Sequence, residues 1–356
     1  MSDNALSKWQ QFCNDLAQAG QQVLSYDANE REQAEGMRYL SRLMRVGLEM
    51  HLESKNPDYP EFYQASHQTA KIGADNPDNY YQNATITGDR VYKIYGHRGS
   101  VPILSFATKA NRYAIDGTMA STGELDVRDM VINSDGTFEI IASHEKPHDA
   151  VNWLPLEKDS SMVLVRQTFH IREEEKPALV EIEAVNPPPH DSALRLSTVT
   201  EGLKMTSDFV AGTAQLFIHW AETFKANNFN SLDTVDQTMF FKAGGDPTIF
   251  YLHGWWELKP GEALKITTHI PECEGWNFQL NNIWMESLDY RYHNIHTNNK
   301  LAEYNADGTV TIIVSETDPG SGNWVKTCGH ERGTMLFRWT GANEHPVPET
   351  KIERIS

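Results

Sequence analysis

The pattern of apolar and polar positions divides the chain into segments. Apolar residues recur at helical spacing from residue 5 to about residue 53. A second helix is predicted to start at Asp27, with Glu30 placed to complete a capping box. We therefore predict a helical hairpin over residues 1–60.

Alternation with a period of two, which is typical of strands, begins near residue 75. Strand-like stretches fill residues 75–185 and again 238–341, and helical spacing returns within the connection 190–230, over 206–227. The prediction is a mainly β protein with added helices and two tandem domains of the β-sandwich or jelly-roll type. Residues 342–356 contain two prolines and little periodicity, so we expect a surface tail.

Two segments of the chain are nearly the same. DGTFEIIAS at 135–143 and DGTVTIIVS at 307–315 share six of nine residues. Asn152-Trp153 recurs as Asn323-Trp324 and Arg166 as Arg338, at offsets of 171 and 172 residues. The near-constant spacing predicts a tandem duplication.

The repeated residues are expected to serve the fold first. The two tryptophans would fill or seal a sandwich, and the two asparagines would satisfy backbone groups of a loop. The two arginines lie in apolar strands and would need partners if buried, because an unpaired buried charge is costly.

Charge and cysteine content narrow the classes of function. The formal net charge is -18, and we find no Lys/Arg cluster, which argues against a nucleic-acid partner. No apolar run is long enough to span a bilayer, and the first residues do not have the pattern of a signal peptide, so no membrane partner is expected. Three scattered cysteines favour a reducing compartment and a cytoplasmic location. The sequence is compatible with a homo-oligomer but does not predict the oligomeric state.

Five stretches carry a resemblance to a known family. They are DNPDNYY (75–81), VYKIYGHRGS (91–100), NWLPLEKDSSMVLVRQTF (152–169), LNNIWMESLDY (280–290) and DPGSGNWVKTCGHERGTMLFRW (318–339). In these stretches the chain resembles a largely bacterial family of undefined function, catalogued as domain of unknown function twelve-fourteen. The resemblance implies a β-sandwich or jelly-roll protein. It implies no activity and no catalytic residues.

Candidate acid-base residues lie in predicted loops and at strand ends. Asp75 and Asp78 are candidate catalytic carboxylates, although such residues also make turns by bonding their own backbone. His97 could transfer protons, and Arg98 could bind an anionic group of a substrate. Alternatively, Arg98 fixes the acidic loop at 75–79.

A second group of candidates lies near the end of the chain. Asp289, His330 and Glu331 are predicted as further catalytic residues. Cys328 stands next to His330, and a thiol nucleophile needs a base within reach, but this local set is not a strong signature. A nucleophilic cysteine is therefore disfavoured.

Aromatic residues suggest a binding surface. The candidate substrate-binding residues, besides Arg98, are Tyr80, Trp255, Trp256, Trp284 and Tyr290. Their rings could stack on a sugar or an apolar ring, or they could belong to the core of a sandwich.

Metal and cofactor signals are weak. His144 and His148 in HEKPH could be metal ligands, but no known zinc spacing is present and a solvated loop is the preferred interpretation. Phosphate-binding, dinucleotide-binding, serine-hydrolase and kinase motifs are absent from the sequence. We therefore predict neither a metal nor a cofactor.

Three functions are compatible with these residues. The leading hypothesis is a hydrolase or lyase that acts on a saccharide or a small cyclic substrate by acid-base catalysis. The first alternative is a protein that binds a carbohydrate or a hydrophobic metabolite without catalysis. The second is a metal-dependent enzyme with histidine ligands.

Overall fold

The structure is a computed structural model that describes residues 4–191, 193–320 and 322–355. Residues 1–3, 192, 321 and 356, which belong to the predicted segments, lie outside the described residues. Two helices open the chain, α1 (Ala5–Leu24) and α2 (Glu30–Leu48), and a π-helical turn, Glu49–Glu53, continues the second.

The start of α2 differs from the prediction. Asn29, not Asp27, is the N-cap: its side chain accepts a hydrogen bond from the backbone N of Glu32 at 3.0 Å, and the Glu32 carboxylate accepts one from the backbone N of Asn29 at 2.9 Å. Both Asp and Asn are good caps. Glu32, the partner of Asn29 in this capping box, also forms an ion pair at 2.8 Å with Arg332, three hundred positions away, which the local sequence pattern does not reveal.

The first half of the molecule contains eight strands: β1 (Asn79–Thr85), β2 (Tyr92–His97), β3 (Ile103–Arg112), β4 (Thr118–Asp126), β5 (Thr137–Ser143), β6 (Trp153–Pro155), β7 (Met162–Thr168) and β8 (Leu179–Ala184). They form two sheets, in the orders β1-β7-β3-β4 and β6-β5-β2-β8. Apolar side chains from both sheets, such as Phe106 and Ile140, form one core between them. This half is therefore a β-sandwich.

The connection consists of α3 (Leu196–Asn227), a short strand β9 (Asp233–Thr234) and α4 (Gln237–Lys242). The helix α3 begins ten residues before the helical pattern at 206–227. Leu203 in these added turns is buried, but Leu196 and Met205 are exposed and the buried Gly202 has no side chain, so the apolar pattern there is short.

The second half repeats the first. Its strands are β10 (Ile249–Glu257), β11 (Glu262–His269), β12 (Gly275–Leu280), β13 (His296–Asn298), β14 (Thr309–Ser315), β15 (Asn323–Lys326), β16 (Arg332–Thr340) and β17 (Glu349–Arg354). The sheets have the orders β13-β12-β16-β10-β9 and β15-β14-β11-β17. If β10 takes the place of β1 and the following strands are matched in order, both sheets of the first half are reproduced. The predicted tandem, mainly β architecture is confirmed.

The end of the chain is not the tail expected from the sequence. The strand β17 pairs with β11 over six residues, in the place that β8 has beside β2. Its side chains are mostly exposed, which removes the alternation that predicts a strand. The second sandwich therefore includes residues beyond 341.

The repeated turn has the same geometry in both halves. The side chain of Asp135 accepts a hydrogen bond from the backbone N of Thr137, and that of Asp307 accepts one from Thr309, each at 3.0 Å. Gly136 and Gly308 have φ angles of 86° and 82°, which glycine adopts without steric cost.

The repeated Asn-Trp pairs also make the same bonds. Asn152 donates to the carbonyls of Val131 and Glu139, and Asn323 donates to those of Glu303 and Thr311. The indole of each tryptophan donates to a strand carbonyl. Both tryptophans are only partly buried and lie in the edge strands β6 and β15, so they do not fill a core. Of the two roles expected for them, sealing the sandwich is the one that fits this position.

Besides the apolar core inside each of the two sandwiches, a third apolar core joins the helices to the second half. It contains residues of α1, α2, α3 and the outer face of β10 and β16, among them Leu43, Phe209, Trp255 and Leu336. Among the described residues, no helix combines the length and the apolar character needed to cross a membrane.

Candidate functional site

A cavity of about 180 Å³ lies between the two halves. Strands β1 and β7 of the first half, β10 and β16 of the second half, the segment 65–76 and the helix α3 contribute to its wall. Most of this wall is apolar: Met50, Ile72, Met119, Met162, Leu164, Phe209, Phe217, Trp220, Phe240, Ile249 and Leu336. The polar part includes Asp75, Asn76, Asn79, Tyr81, Asn83, Tyr113, Arg166, Tyr251, His253 and Arg338.

The duplication gives the cavity a twofold character. Tyr81 is the cross-strand partner of Arg166, and Tyr251 is the cross-strand partner of Arg338. The alternation of a strand places residues two apart on one face. The sheet β1-β7-β3-β4 and the sheet β13-β12-β16-β10-β9 therefore each present an equivalent Tyr-Arg pair, on the outer face, to the space between the halves.

The turns before β1 and β10 are equivalent as well. The hydroxyl of Tyr81 accepts a hydrogen bond from the backbone N of Asn76 at 3.2 Å, and that of Tyr251 accepts one from Asp246 at 2.8 Å. Each turn residue is followed by a proline. Asn76 and Asp246 thus occupy corresponding positions.

The two buried arginines differ in their partners. Arg166 forms an ion pair with Asp246 at 3.4 Å and donates to the carbonyl of Gly244. Arg338 donates to the side-chain oxygens of Asn277 and Gln279, at 3.3 and 2.5 Å, and to the carbonyl of Ala74 at 2.6 Å.

The backbone that meets Arg338 has an uncommon conformation. Ala74 has a φ angle of 57°, and its backbone N donates to the carbonyl of Met285, which has a φ angle of 56°. Gly73, with a φ angle of 61°, lies so close to the Phe217 ring that a Cβ atom would approach it to 2.4 Å. Backbone of this kind is common at functional sites.

His253 contributes an unsatisfied polar atom. It is 2% exposed, and its ring stacks on that of Phe224 with centroids 4.5 Å apart. Burial, together with the charge of Arg338, holds the pKa of His253 well below its usual value. Its Nδ1 atom has no hydrogen-bond partner within the described residues.

Asp75 and Asp78 are both buried and tie the halves together. The Asp75 carboxylate accepts hydrogen bonds from the backbone N and the Oγ of Ser287, at 2.9 and 2.8 Å. Asp78 accepts bonds from His296 and Asn298; burial raises its pKa, but the charge of His296 and the hydrogen bonds that Asp78 accepts outweigh this effect and lower it. Of the predicted catalytic residues, only Asp75 lines the cavity.

The residues of YGHRG and HEKPH lie elsewhere. His97 is exposed and contacts the backbone O of Asp135, while Arg98 donates to the carbonyl of Val101. His144 and His148 are exposed on a loop. No three His, Cys, Asp or Glu side chains converge as metal ligands in the part of the chain that the structure describes.

One of the predicted residues near the end of the chain, His330, contacts α2. His330 bonds to the Glu35 carboxylate at 3.0 Å, and Glu331 is exposed. Burial raises the pKa of the Cys328 thiol to about 12, which is the opposite of what a nucleophile needs. Asp289 forms a bidentate pair with Arg291, and the bonds lower its pKa to about 2.

The predicted aromatic platforms are packing residues. Trp255, Trp256 and Trp284 are 0%, 0% and 1% exposed, so none of them can offer a ring face to a ligand in solution. Tyr80 packs against the first core, and Tyr290 lies under the ammonium group of Lys71 at 4.7 Å.

The sequence interpretation therefore missed most of the cavity. It assigned Arg166 and Arg338 to the fold and did not select Tyr81, Tyr251 or His253. A usable signal was present, because an Asx-Pro pair is followed by tyrosine at the same distance in DNPDNYY and DPTIFY.

Known proteins resemble the chain over most of its length. A family described as "Protein of unknown function (DUF1214)" matches residues 81–170 and 263–344. A crystal structure of an uncharacterized protein from Burkholderia cenocepacia is 44% identical, with 99% of this chain and 98% of that chain covered and a TM-score of 0.95. None of the curated proteins matches the sequence.

A more distant structure supports the fold alone. A crystal structure of a protein from Vibrio parahaemolyticus is 10% identical, with 96% of this chain and 100% of that chain covered and a TM-score of 0.52.

Proposed function

We propose that this chain, which belongs to the family described as protein of unknown function (DUF1214), binds a small, mainly apolar organic molecule in the cavity between its halves. This is the hydrophobic-metabolite alternative among the functions that the sequence allows. One observation carries the proposal: an apolar wall surrounds a few buried polar groups, and one of these, the Nδ1 atom of His253, has no partner among the described residues.

Leaving such a space empty has a cost in free energy. Ligand sites are typically apolar cavities with a small number of polar groups that orient the ligand. A buried polar atom without a partner costs about 1 to 3 kcal/mol, which a ligand or water in the cavity would recover. Binding at this position would also join both halves and α3, which supply the wall.

The test uses 1-naphthylamine, a neutral fluorescent probe that is small enough for the cavity and whose emission rises and shifts to shorter wavelength in an apolar site. Addition of wild-type protein should increase the emission of the probe, and the increase should reach a plateau. Leu164→Trp should reduce the affinity at least about tenfold, because the larger side chain would occupy the cavity that Leu164 lines. The matched control is Leu179→Trp, since Leu179 is 71% exposed on β8.

Both variants should be compared at equal folded fractions, measured by circular dichroism. Equal probe binding by wild type and a folded Leu164→Trp variant would contradict the proposal, as would the absence of any saturable binding.

The hydrolase or lyase hypothesis stays a prediction, and so do a saccharide substrate and a cytoplasmic location. Asp75 is the cavity carboxylate among the predicted catalytic residues, and both its oxygens already accept hydrogen bonds from Ser287. The three cysteines are unpaired, which supports the cytoplasmic assignment.

A further inference from the structure

We infer that the ligand of the cavity is an organic acid, whose carboxylate or similar anionic group pairs with Arg338. The inference rests on the proposed function and specifies the class of ligand. It follows from a difference between two equivalent arginines.

Arg338 is 6% exposed and lines the cavity. Its hydrogen-bond partners among the described residues are neutral: the side-chain oxygens of Asn277 and Gln279 and the carbonyl of Ala74. These three bonds use three of the five N–H donors of a guanidinium group. A buried charge normally pairs with an opposite charge.

Arg166, the equivalent arginine of the first half, has the carboxylate partner that Arg338 lacks. Arg166 bonds to the carbonyl of Gly244 and pairs with the carboxylate of Asp246. The equivalent of Gly244 is Ala74, whose carbonyl Arg338 does bind. The equivalent of Asp246 is Asn76, an amide in the place of a carboxylate.

The electrostatic environments differ accordingly. Burial alone would lower the pKa of both groups, but the Asp246 carboxylate raises that of Arg166 overall. The pKa of Arg338 is lowered, because burial outweighs the effects of its more distant neighbours. The charge of Arg338 is thus the less compensated of the two.

The other nearby carboxylates are bound by other groups. Asp75 accepts bonds from Ser287 and lies close to the buried ammonium group of Lys71, whose pKa burial lowers and Asp75 partly restores. Asp78 is held by His296 and Asn298. Neither carboxylate forms a hydrogen bond with Arg338 within the described part of the chain.

The remainder of the ligand is defined by the apolar wall. Phe217, Trp220, Phe240 and Leu336 form part of it, and aromatic edges and aliphatic groups favour an aryl or alkyl body over a polyhydroxylated one. We therefore expect aryl-alkanoic or medium-chain acids.

The experiment compares acids with their uncharged amides by isothermal titration calorimetry. The pairs are phenylacetate and phenylacetamide, 4-phenylbutyrate and 4-phenylbutyramide, and octanoate and octanamide. At least one acid should bind the wild-type protein about tenfold or more tightly than its amide, because a charge-assisted bond to a guanidinium is strong in a buried site.

Two variants assign the preference to Arg338. Arg338→Met removes the cation, and Asn76→Asp gives Arg338 a carboxylate at the position equivalent to Asp246, which pairs with Arg166. Each should bring the ratio of the dissociation constants of the amide and the acid to about one. Asn76→Asp keeps the arginine and its hydrogen bonds, so it serves if Arg338→Met does not fold. The control is Arg195→Met, since Arg195 lies on the surface in a pair with Asp191.

The outcomes separate the two proposals. If the naphthylamine probe binds but no acid is preferred over its amide, the inference fails and the proposed function stands. If the preference survives in folded Arg338→Met and Asn76→Asp, the assignment to Arg338 is overturned. If neither the probe nor any compound of the three pairs binds, both fail.

Discussion

At the residue scale, Asn152 and Asn323 fix equivalent loops to equivalent strands. The Asn152 side chain accepts one backbone bond at 2.8 Å and donates two, at 3.0 and 2.8 Å, and it is 5% exposed. We predict that Asn152→Ala lowers the free energy of unfolding by about 1 to 3 kcal/mol, the usual cost of unsatisfied buried backbone groups. Asn323→Ala should cost less, because Asn323 is only partly buried.

Urea denaturation of both variants measures these costs. The exposed Asn343 provides the control, and Asn343→Ala should stay within about 0.5 kcal/mol of wild type. A cost below that limit for Asn152→Ala would show that the loop does not depend on its amide.

His51 predicts a pH dependence of stability. Burial lowers its pKa from 6.5 to about 4, its ring packs on Phe209, and its Nε2 atom lacks a partner among the described residues. Because the unfolded chain takes up the proton first, this contribution to stability is present above pH 6.5 and is lost as the pH falls towards 4. Between pH 7 and pH 5, wild type should lose about 2 kcal/mol more than His51→Phe.

Chemical denaturation at several pH values tests this difference. His148→Phe changes an exposed loop histidine in the same way and should follow wild type. Parallel stability curves for wild type and His51→Phe would refute the assignment.

The role of a residue could be predicted from the sequence when its contacts lie nearby in the chain. The Asp-Gly turns and the loop asparagines bond within their own repeat, and their repetition indicated structural roles. The role of Arg166 and Arg338 depends on two sheets that face each other, and strand periodicity does not specify which outer faces meet. Trp255 and Trp284 contact helices that are distant in the sequence, so their burial could not be predicted from the local pattern either.

At the scale of elements, long alternating strands were predictable and β17 was not. An edge strand with exposed side chains is stabilised mainly by its backbone bonds, which leave no pattern in the sequence. The repeat itself contains the missing information, because β8 in the first half has β17 as its counterpart. Exposed side chains such as Leu196 and Met205 likewise weaken the apolar pattern in the first turns of α3, and these turns were missed for that reason.

Removing β17 should destabilise the whole second sandwich. Truncation after Val347 deletes the strand but keeps the stacking of His345 on Phe250. The loss of six paired residues should lower the free energy of unfolding by about 3 kcal/mol or more, at about 0.5 to 1.5 kcal/mol per hydrogen bond. Ile352→Ala, which keeps the backbone, should cost less than about 1 kcal/mol. Equal effects in the two variants would contradict a backbone role.

At the scale of the whole molecule, the two sandwiches are repeats in topology but not independent units. The ammonium group of Lys71, from the segment before β1, donates to Ser287 and Leu288 of the second half. Asp75 and Asp78 add further bonds across the same contact. In addition, the outer face of β10 and β16 is covered by the helices that precede each half.

This arrangement predicts one cooperative unfolding transition for the full chain. A fragment that begins at residue 238 would expose Tyr251, Trp255 and Leu336, which the helices bury in the intact protein, so it should be insoluble or unfolded when expressed alone. Differential scanning calorimetry of the full chain should show a single peak whose calorimetric and van't Hoff enthalpies agree. Lys71→Met should move that peak to lower temperature without splitting it, because its loss leaves buried carbonyls of the second half without a donor. A soluble, folded fragment, or two resolved peaks in the full chain, would mean that the halves are stable separately and that the cavity lies between weakly coupled domains.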